Sequence, residues 1–308
     1  MFEIIGLLTA FIGIFVLRAK NIDFYIAITA AALIIGLTSG APVRILFDVL
    51  IQTLSAYNTW NLVSAVALIT VLGYALKETG LMVNFIEGLS NILPGNILMA
   101  TIPALFGFLS MPGGALMSAP FIEPEADKLG LKPEHKSYYN VWFRHLLYWV
   151  NPITSSTIMA VSLSGIPVTT WLRVQSPLFF VMAAIGFIAS RGFIETPKKN
   201  EGPKGLTMDA MKGGLPIVVT VALTLYGIPI WASLAAGTLT AMLLGRVNPD
   251  KTVEIVSKGI RWDLVLAIIS MLYLRDMIST SGSVVKLFEA VIASGVPVLA
   301  IAIVGPLF

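Results

Sequence analysis

The stretch Ser110-Met111-Pro112-Gly113-Gly114-Ala115-Leu116-Met117-Ser118 sets a Pro-Gly-Gly break between two hydroxyls in otherwise apolar surroundings. Proline has no N–H to donate and glycine adds backbone entropy, so no continuous helix crosses these residues cheaply. Hydrocarbon cannot satisfy the freed N–H and C=O groups. At membrane depth such backbone is confined to a protein interior or the wall of a wet cavity. Successive N–H groups of Gly113, Gly114 and Ala115, with a half-helix N-terminus behind them, suit an anion-binding nest flanked by Ser110 and Ser118. A helix-packing patch of small residues is the plain alternative.

Asn151-Pro152-Ile153-Thr154-Ser155-Ser156 is a second candidate. Pro152 frees a carbonyl one turn earlier, near Leu147 or Tyr148, while Asn151, Thr154 and Ser155 bring side-chain oxygens suited to sodium or a substrate hydroxyl. A proline kink patched by Ser/Thr back-bonding reads the same in sequence. Arg275-Asp276 lies about 20 Å along a helix starting at Trp262, a depth at which charged residues offer substrate binding or proton coupling, or simply pair with one another. Arg144-His145 is shallower, and Arg144 can snorkel.

The elements that position these residues are membrane helices. Hydrophobic residues make up 56% of the 308 and charged residues 12%, which points to an all-α polytopic membrane protein. The absence of cysteine excludes disulfides and thiolate sites, and His135 and His145 are too few for a histidine metal cage. No basic cluster is interleaved with aromatics, so nucleic acid is not an expected partner; the lipid bilayer is. Spans are expected over 2–16, 22–38, 60–76, 138–163 (interrupted at Asn151-Pro152), 171–190, 214–226, 228–245 and 262–281. Residues 43–56 and 248–260 read as interfacial amphipathic helices, the first with Arg44, Asp48 and Gln52 on one face. Residues 80–93 also read as surface-lying. Each arm of the Pro-Gly-Gly break is too short to span, so 96–122 reads as a re-entrant hairpin, followed by a charged loop over 123–137.

Setting Trp60 against Trp262 and holding that shift of 202 aligns 60–106 with 262–308 and gives eleven identical pairs, among them Leu72/Leu274, Gly80/Gly282 and Glu87/Glu289. Apolar composition alone gives roughly three or four, which argues for an internal repeat. Arg18 and Lys20 follow the first helix, whereas basic residues in the second half cluster one connection later, at Arg246, Lys251, Lys258 and Arg261. Corresponding loops then face opposite sides, which makes the repeats inverted in topology. The expected organisation is membrane repeat 1 over 1–190, a basic cytoplasmic linker over 191–212, and membrane repeat 2 over 213–308. The second repeat stops where the first continues into its hairpin, so the sequence leads one to expect a truncated chain lacking a second hairpin.

With the Pro-Gly-Gly stretch and the repeat in hand, the chain resembles, over nearly its whole length, a prokaryotic domain-of-unknown-function family of integral membrane proteins. That family is grouped with the ion-transporter superfamily of gluconate, citrate and dicarboxylate permeases. The resemblance implies paired re-entrant hairpins, substrate and coupling ion held between them, and alternating access. The Ser-Asn-Thr signature of the sodium-dicarboxylate members is absent, so neither that ion nor that substrate follows. The expected function is an ion-coupled permease of a small organic anion in the cell membrane. It would use sodium or protons, hold no other cofactor, and is compatible with a homodimer. A membrane-embedded enzyme acting on lipid or peptide would need clustered carboxylates or a serine beside a base. A channel is the third reading.

Overall fold

The computed structural model describes residues 2–40, 42–108, 114–194, 205 and 207–283. Every regular element among them is helical. The described residues group by packing into two units, one drawn from residues up to 63 and from 262 onward, the other from residues 64–261.

The first unit contains α1 (Phe2–Ala19), α2 (Phe24–Thr38), α3 (Arg44–Ser55), the start of α4 (Tyr57–Glu78) and α14 (Trp262–Ser281). Buried residues recur at helical spacing on each: Leu7 and Ala10, Ala31 and Ile35, Leu46 and Val49, Tyr273 and Met277, and together they form one core. Acyl chains are as apolar as leucine, so close packing and hydrogen bonds, more than the hydrophobic effect, hold such helices together in lipid. Both are present. A Cβ on Gly6 would lie 1.8 Å from Thr38 Oγ1, which sets the close approach of α1 to α2. Thr29 donates to Ser270 at 2.9 Å and Tyr273 to the Leu46 carbonyl at 3.0 Å. On α3, Arg44 and Asp48 pair at 3.5 Å along an exposed polar face that includes Gln52, and Phe47 and Ile51 are exposed beside it. An outward apolar edge next to a polar face is the geometry of a helix lying at an interface.

The second unit contains the rest of α4, α5 (Leu81–Ser90), α6 (Gly95–Phe108), α7 (Gly114–Lys128), α8 (Pro133–Leu146), a 3₁₀ turn (Leu147–Trp149), α9 (Ser155–Ser164), α10 (Val168–Ala189), α11 (Met208–Leu225), α12 (Ile230–Leu244) and α13 (Pro249–Gly259). α6 packs against both α7 and α8, with Phe106 and Phe121 rings 5.3 Å apart. α8 binds α10 through Trp142, whose indole N–H donates to the Met182 carbonyl at 3.2 Å, and through Tyr138, which donates to the Gly186 carbonyl at 3.1 Å. On α13, the Lys258 ammonium, 2.7 Å from Glu254, holds that carboxyl below its ordinary pKa.

Three boundaries differ from the sequence reading by more than a helical turn. α7 runs on to Lys128 instead of ending at Ile122, because Ile122, Ala126 and Leu129 keep a buried helical stripe. α8 begins at Pro133, inside the expected loop, because proline at the first helical position is already set for helix. α11 begins at Met208 rather than Gly214: Thr207 caps it, accepting from Ala210 N at 3.2 Å.

Among the described residues four helices, α4, α10, α11 and α14, are long and apolar enough to cross a membrane, which supports a membrane location. α10 leaves most of its apolar surface exposed, Val174 at 70% and Phe180 at 67%. An apolar stripe of that length suits lipid. Both α4 and α14 stop beside a left-handed glycine, Gly80 at φ 72° and Gly282 at φ 64°, a conformation a side chain would strain.

Candidate functional site

The candidate site is built around the break that follows α8. The helix tightens into the 3₁₀ turn, leaves helical geometry at Val150, and restarts at Ser155. This is an interruption and not a patched kink. Asn151, Pro152, Ile153 and Thr154 are all buried there. Such backbone needs partners, and Asn151 supplies them. Its side chain is fully buried; Nδ2 donates to the Phe108 carbonyl at 2.7 Å, and Oδ1 accepts from Ile153 N at 3.0 Å.

Thr154 caps the new helix. Its hydroxyl accepts from Thr157 N at 3.3 Å, donates to Thr157 Oγ1 at 3.0 Å, and lies 3.2 Å from Ser156 Oγ. Ser155 Oγ is buried and has no hydrogen-bond partner. A buried hydroxyl left unpaired in a native fold calls for a ligand or water. Asn151 and Thr154 are taken up in holding the break, so Ser155 Oγ is the side-chain oxygen of the segment left to meet an alkali cation or a substrate hydroxyl.

Phe108 is the last residue of α6, so the Asn151 bond ties the break to the entrance of the Pro-Gly-Gly stretch. On the other arm, Ser118 is buried on α7 and donates to Asn140 Oδ1 of α8 at 2.5 Å. α8 and α6 also meet backbone to backbone: a Cβ on Gly107 would lie 1.9 Å from the Arg144 carbonyl oxygen.

Of the sequence-expected residues, the structure joins Asn151, Pro152, Thr154 and Ser155 in one buried segment, and places Ser118 on an arm that α8 contacts. Gly114 and Ala115 open α7. Ser110, Pro112 and Gly113 lie outside the described residues, as do Glu289 and the remainder of the second repeat copy from residue 284.

Arg275 and Asp276 belong to the first unit. Adjacent residues diverge on a helix, yet these pair, with Nη2 and Nε at 2.6 and 2.9 Å from Asp276 Oδ1. Thr53 of α3 donates to the second carboxylate oxygen at 2.7 Å. Asp276 is thereby a tether between α14 and α3. Sequence reasoning missed Thr53, 223 residues away, and also Asn140 and Thr157. Only Asn140 carried a signal, as a polar residue one turn before Arg144.

Among the described residues no cluster of three or more His, Asp or Glu could hold a metal ion. No curated protein matches the chain. Residues 3–308 match a family described as "Protein of unknown function (DUF401)", and the chain belongs to that family.

Proposed function

We propose that this chain is a secondary active transporter, a permease for a small organic anion coupled to sodium or protons. In this reading α6 and α7 are the arms of a re-entrant hairpin. Substrate sits between its Pro-Gly-Gly tip and the break at residues 150–154, and alternating access delivers it across the cell membrane with the 191–212 linker on the cytoplasmic side. One observation carries the proposal. A buried, interrupted helix is hydrogen-bonded through Asn151 to the last carbonyl of α6, and it holds a buried hydroxyl, Ser155, without a partner. Broken helices at a midplane site are the recurring device of secondary transporters, because unwound carbonyls and hydroxyls serve ions while half-helix N-termini serve anions.

The inverted repeat has independent support. α4 and α14 carry the Trp60/Trp262 alignment and end beside the matched left-handed glycines, Gly80 and Gly282. Within each unit these helices also meet matched partners: α14 packs on α3, and α13 packs on α4, where a Cβ on Gly259 would lie 2.9 Å from Val71 Cα.

The test is uptake of labelled gluconate, citrate and succinate into proteoliposomes, with and without a sodium or pH gradient. Gly113→Val is expected to abolish uptake while leaving membrane insertion intact. Normal uptake by that variant removes the hairpin from the mechanism. Accelerated exchange against unlabelled substrate inside marks a carrier; flux without exchange marks a channel, and a chemically altered product marks an enzyme.

A further inference from the structure

Arg144 lies on α8 about 16 Å along the axis from Pro133. Its backbone carbonyl and Cγ face Gly107, where an added Cβ would lie 1.9 and 3.1 Å from them. The guanidinium stem therefore starts beside the end of α6, one residue before the carbonyl that Asn151 holds. One turn earlier on the same face of α8, Asn140 receives the Ser118 hydroxyl of α7. The face of α8 bearing Asn140 and Arg144 thus meets both arms of the Pro-Gly-Gly break. His145 turns elsewhere: it is exposed, with Nδ1 2.7 Å from the Val141 carbonyl.

Arg144 Nη1 is buried and has no hydrogen-bond partner, and no carboxylate among the described residues pairs with Arg144. A guanidinium cannot shed its charge, and a buried N–H of a cation left unpaired is among the more unfavourable arrangements in a protein. On the transport reading, which sets α8 within the membrane, such a cation marks a site for something of opposite charge. Snorkelling to lipid phosphate carries a guanidinium outward to the interface; Arg144 is half-buried, with Nη1 turned inward and enclosed. A planar fork of N–H donors matches the two oxygens of a carboxylate.

We infer that Arg144 is the charge-selecting residue of the site and receives a carboxylate of the small anion, with Asn140 as a neutral neighbour on the same face. The inference rests on the transport reading for its setting, and it extends that reading to substrate class: the ligand carries a carboxylate, and cationic or neutral analogues are rejected.

The experiment uses purified protein and three probes, gluconate, citrate and succinate, and separates binding from transport. Binding is read as thermal stabilisation in detergent, and transport as uptake into proteoliposomes. At least one probe is expected to stabilise the wild type. Arg144→Gln is expected to weaken that binding about 10- to 100-fold, the loss typical of a charged hydrogen bond, and Arg144→Lys to weaken it less. The apo protein should melt no lower in Arg144→Gln than in wild type, since no protein hydrogen bond at Nη1 is lost; a clearly lower apo melting point would make the residue structural and overturn the inference. Wild-type affinity retained in Arg144→Gln overturns it, as does failure of all three probes to stabilise the wild type. Stabilisation by phosphatidylglycerol that vanishes in Arg144→Gln, with carboxylate binding unchanged, makes the residue a lipid anchor and also overturns it. Arg144-dependent binding without uptake would leave the inference standing and refute transport. Uptake that is indifferent to Arg144 would do the reverse.

Discussion

Replacing Asn151 by alanine removes two hydrogen bonds from one buried side chain. The Phe108 carbonyl loses a donor at 2.7 Å and the Ile153 N–H loses an acceptor at 3.0 Å. A buried polar group left unpaired costs about 1–3 kcal/mol, whereas hydrogen bonds between helices in membrane proteins average about 0.6 and reach about 1.7 kcal/mol. The carbonyl keeps a second lone pair that another donor can use, so its loss falls at the lower scale. The N–H has one hydrogen and no substitute in a buried segment, so its loss falls at the upper. The two together come to about 2–4 kcal/mol. Reversible unfolding in mixed micelles, followed by circular dichroism, measures the difference. Asn151→Asp keeps the acceptor for Ile153 but sets a buried carboxylate oxygen against the Phe108 carbonyl, so at neutral pH it should be at least as destabilising as Asn151→Ala. Ser156→Ala, at an exposed position in the same segment, should change stability by no more than about 0.5 kcal/mol. If Asn151→Ala unfolds within that same margin of the wild type, the break is not held together by Asn151 and the reasoning fails.

Three further outcomes are expected. Gly107→Ala should destabilise by at least about 1–3 kcal/mol in the same assay, because the new methyl meets the Arg144 carbonyl oxygen, a backbone atom that cannot rotate aside. Gly36→Ala should do little, since its neighbours are the flexible ends of Leu46 and Met277 and alanine regains about 1 kcal/mol of helix propensity. The chain has no cysteine, so single cysteines need no background removal. Spin labels at Val174→Cys and Phe180→Cys should collide with lipid-dissolved oxygen far more often than one at Ala126→Cys, which replaces a fully buried residue. Equal collision rates would refute α10 as a lipid-facing helix.

Much of the helical framework is legible in the residues themselves, because apolar runs and their periodicity are local. The start and end of α14 at Trp262 and Ser281 agree with the expectation, and the break after Asn151-Pro152 is where proline chemistry puts it. Helix beginnings are less legible, since neighbouring charge obscures the cap at Thr207 and the first-turn proline at Pro133. What sequence could not give is pairing over distance. Nothing near Asp276 announces Thr53, and nothing at Arg144 says that a glycine on another helix faces its carbonyl. The partner that keeps the break intact, the Phe108 carbonyl, is a backbone atom and has no residue type to read.

The contact at Gly107 has a mechanical meaning. Side chains between helices act as a soft cushion that absorbs small slips by changing rotamer, whereas two peptide backbones in direct contact transmit a push. With α6 seated against the Arg144 peptide, and its last carbonyl bolted to Asn151, force applied to α6 passes into α8 and on to the restart of the chain at Thr154. These pieces behave as one stiff lever within their unit. Compliance is left to the connections at its edges, at Gly130 between α7 and α8 and at Gly165 after α9, both in the left-handed conformation. On the transport reading proposed above, a rearrangement that opens the site is expected to pivot there and to leave the geometry around Asn151 unchanged.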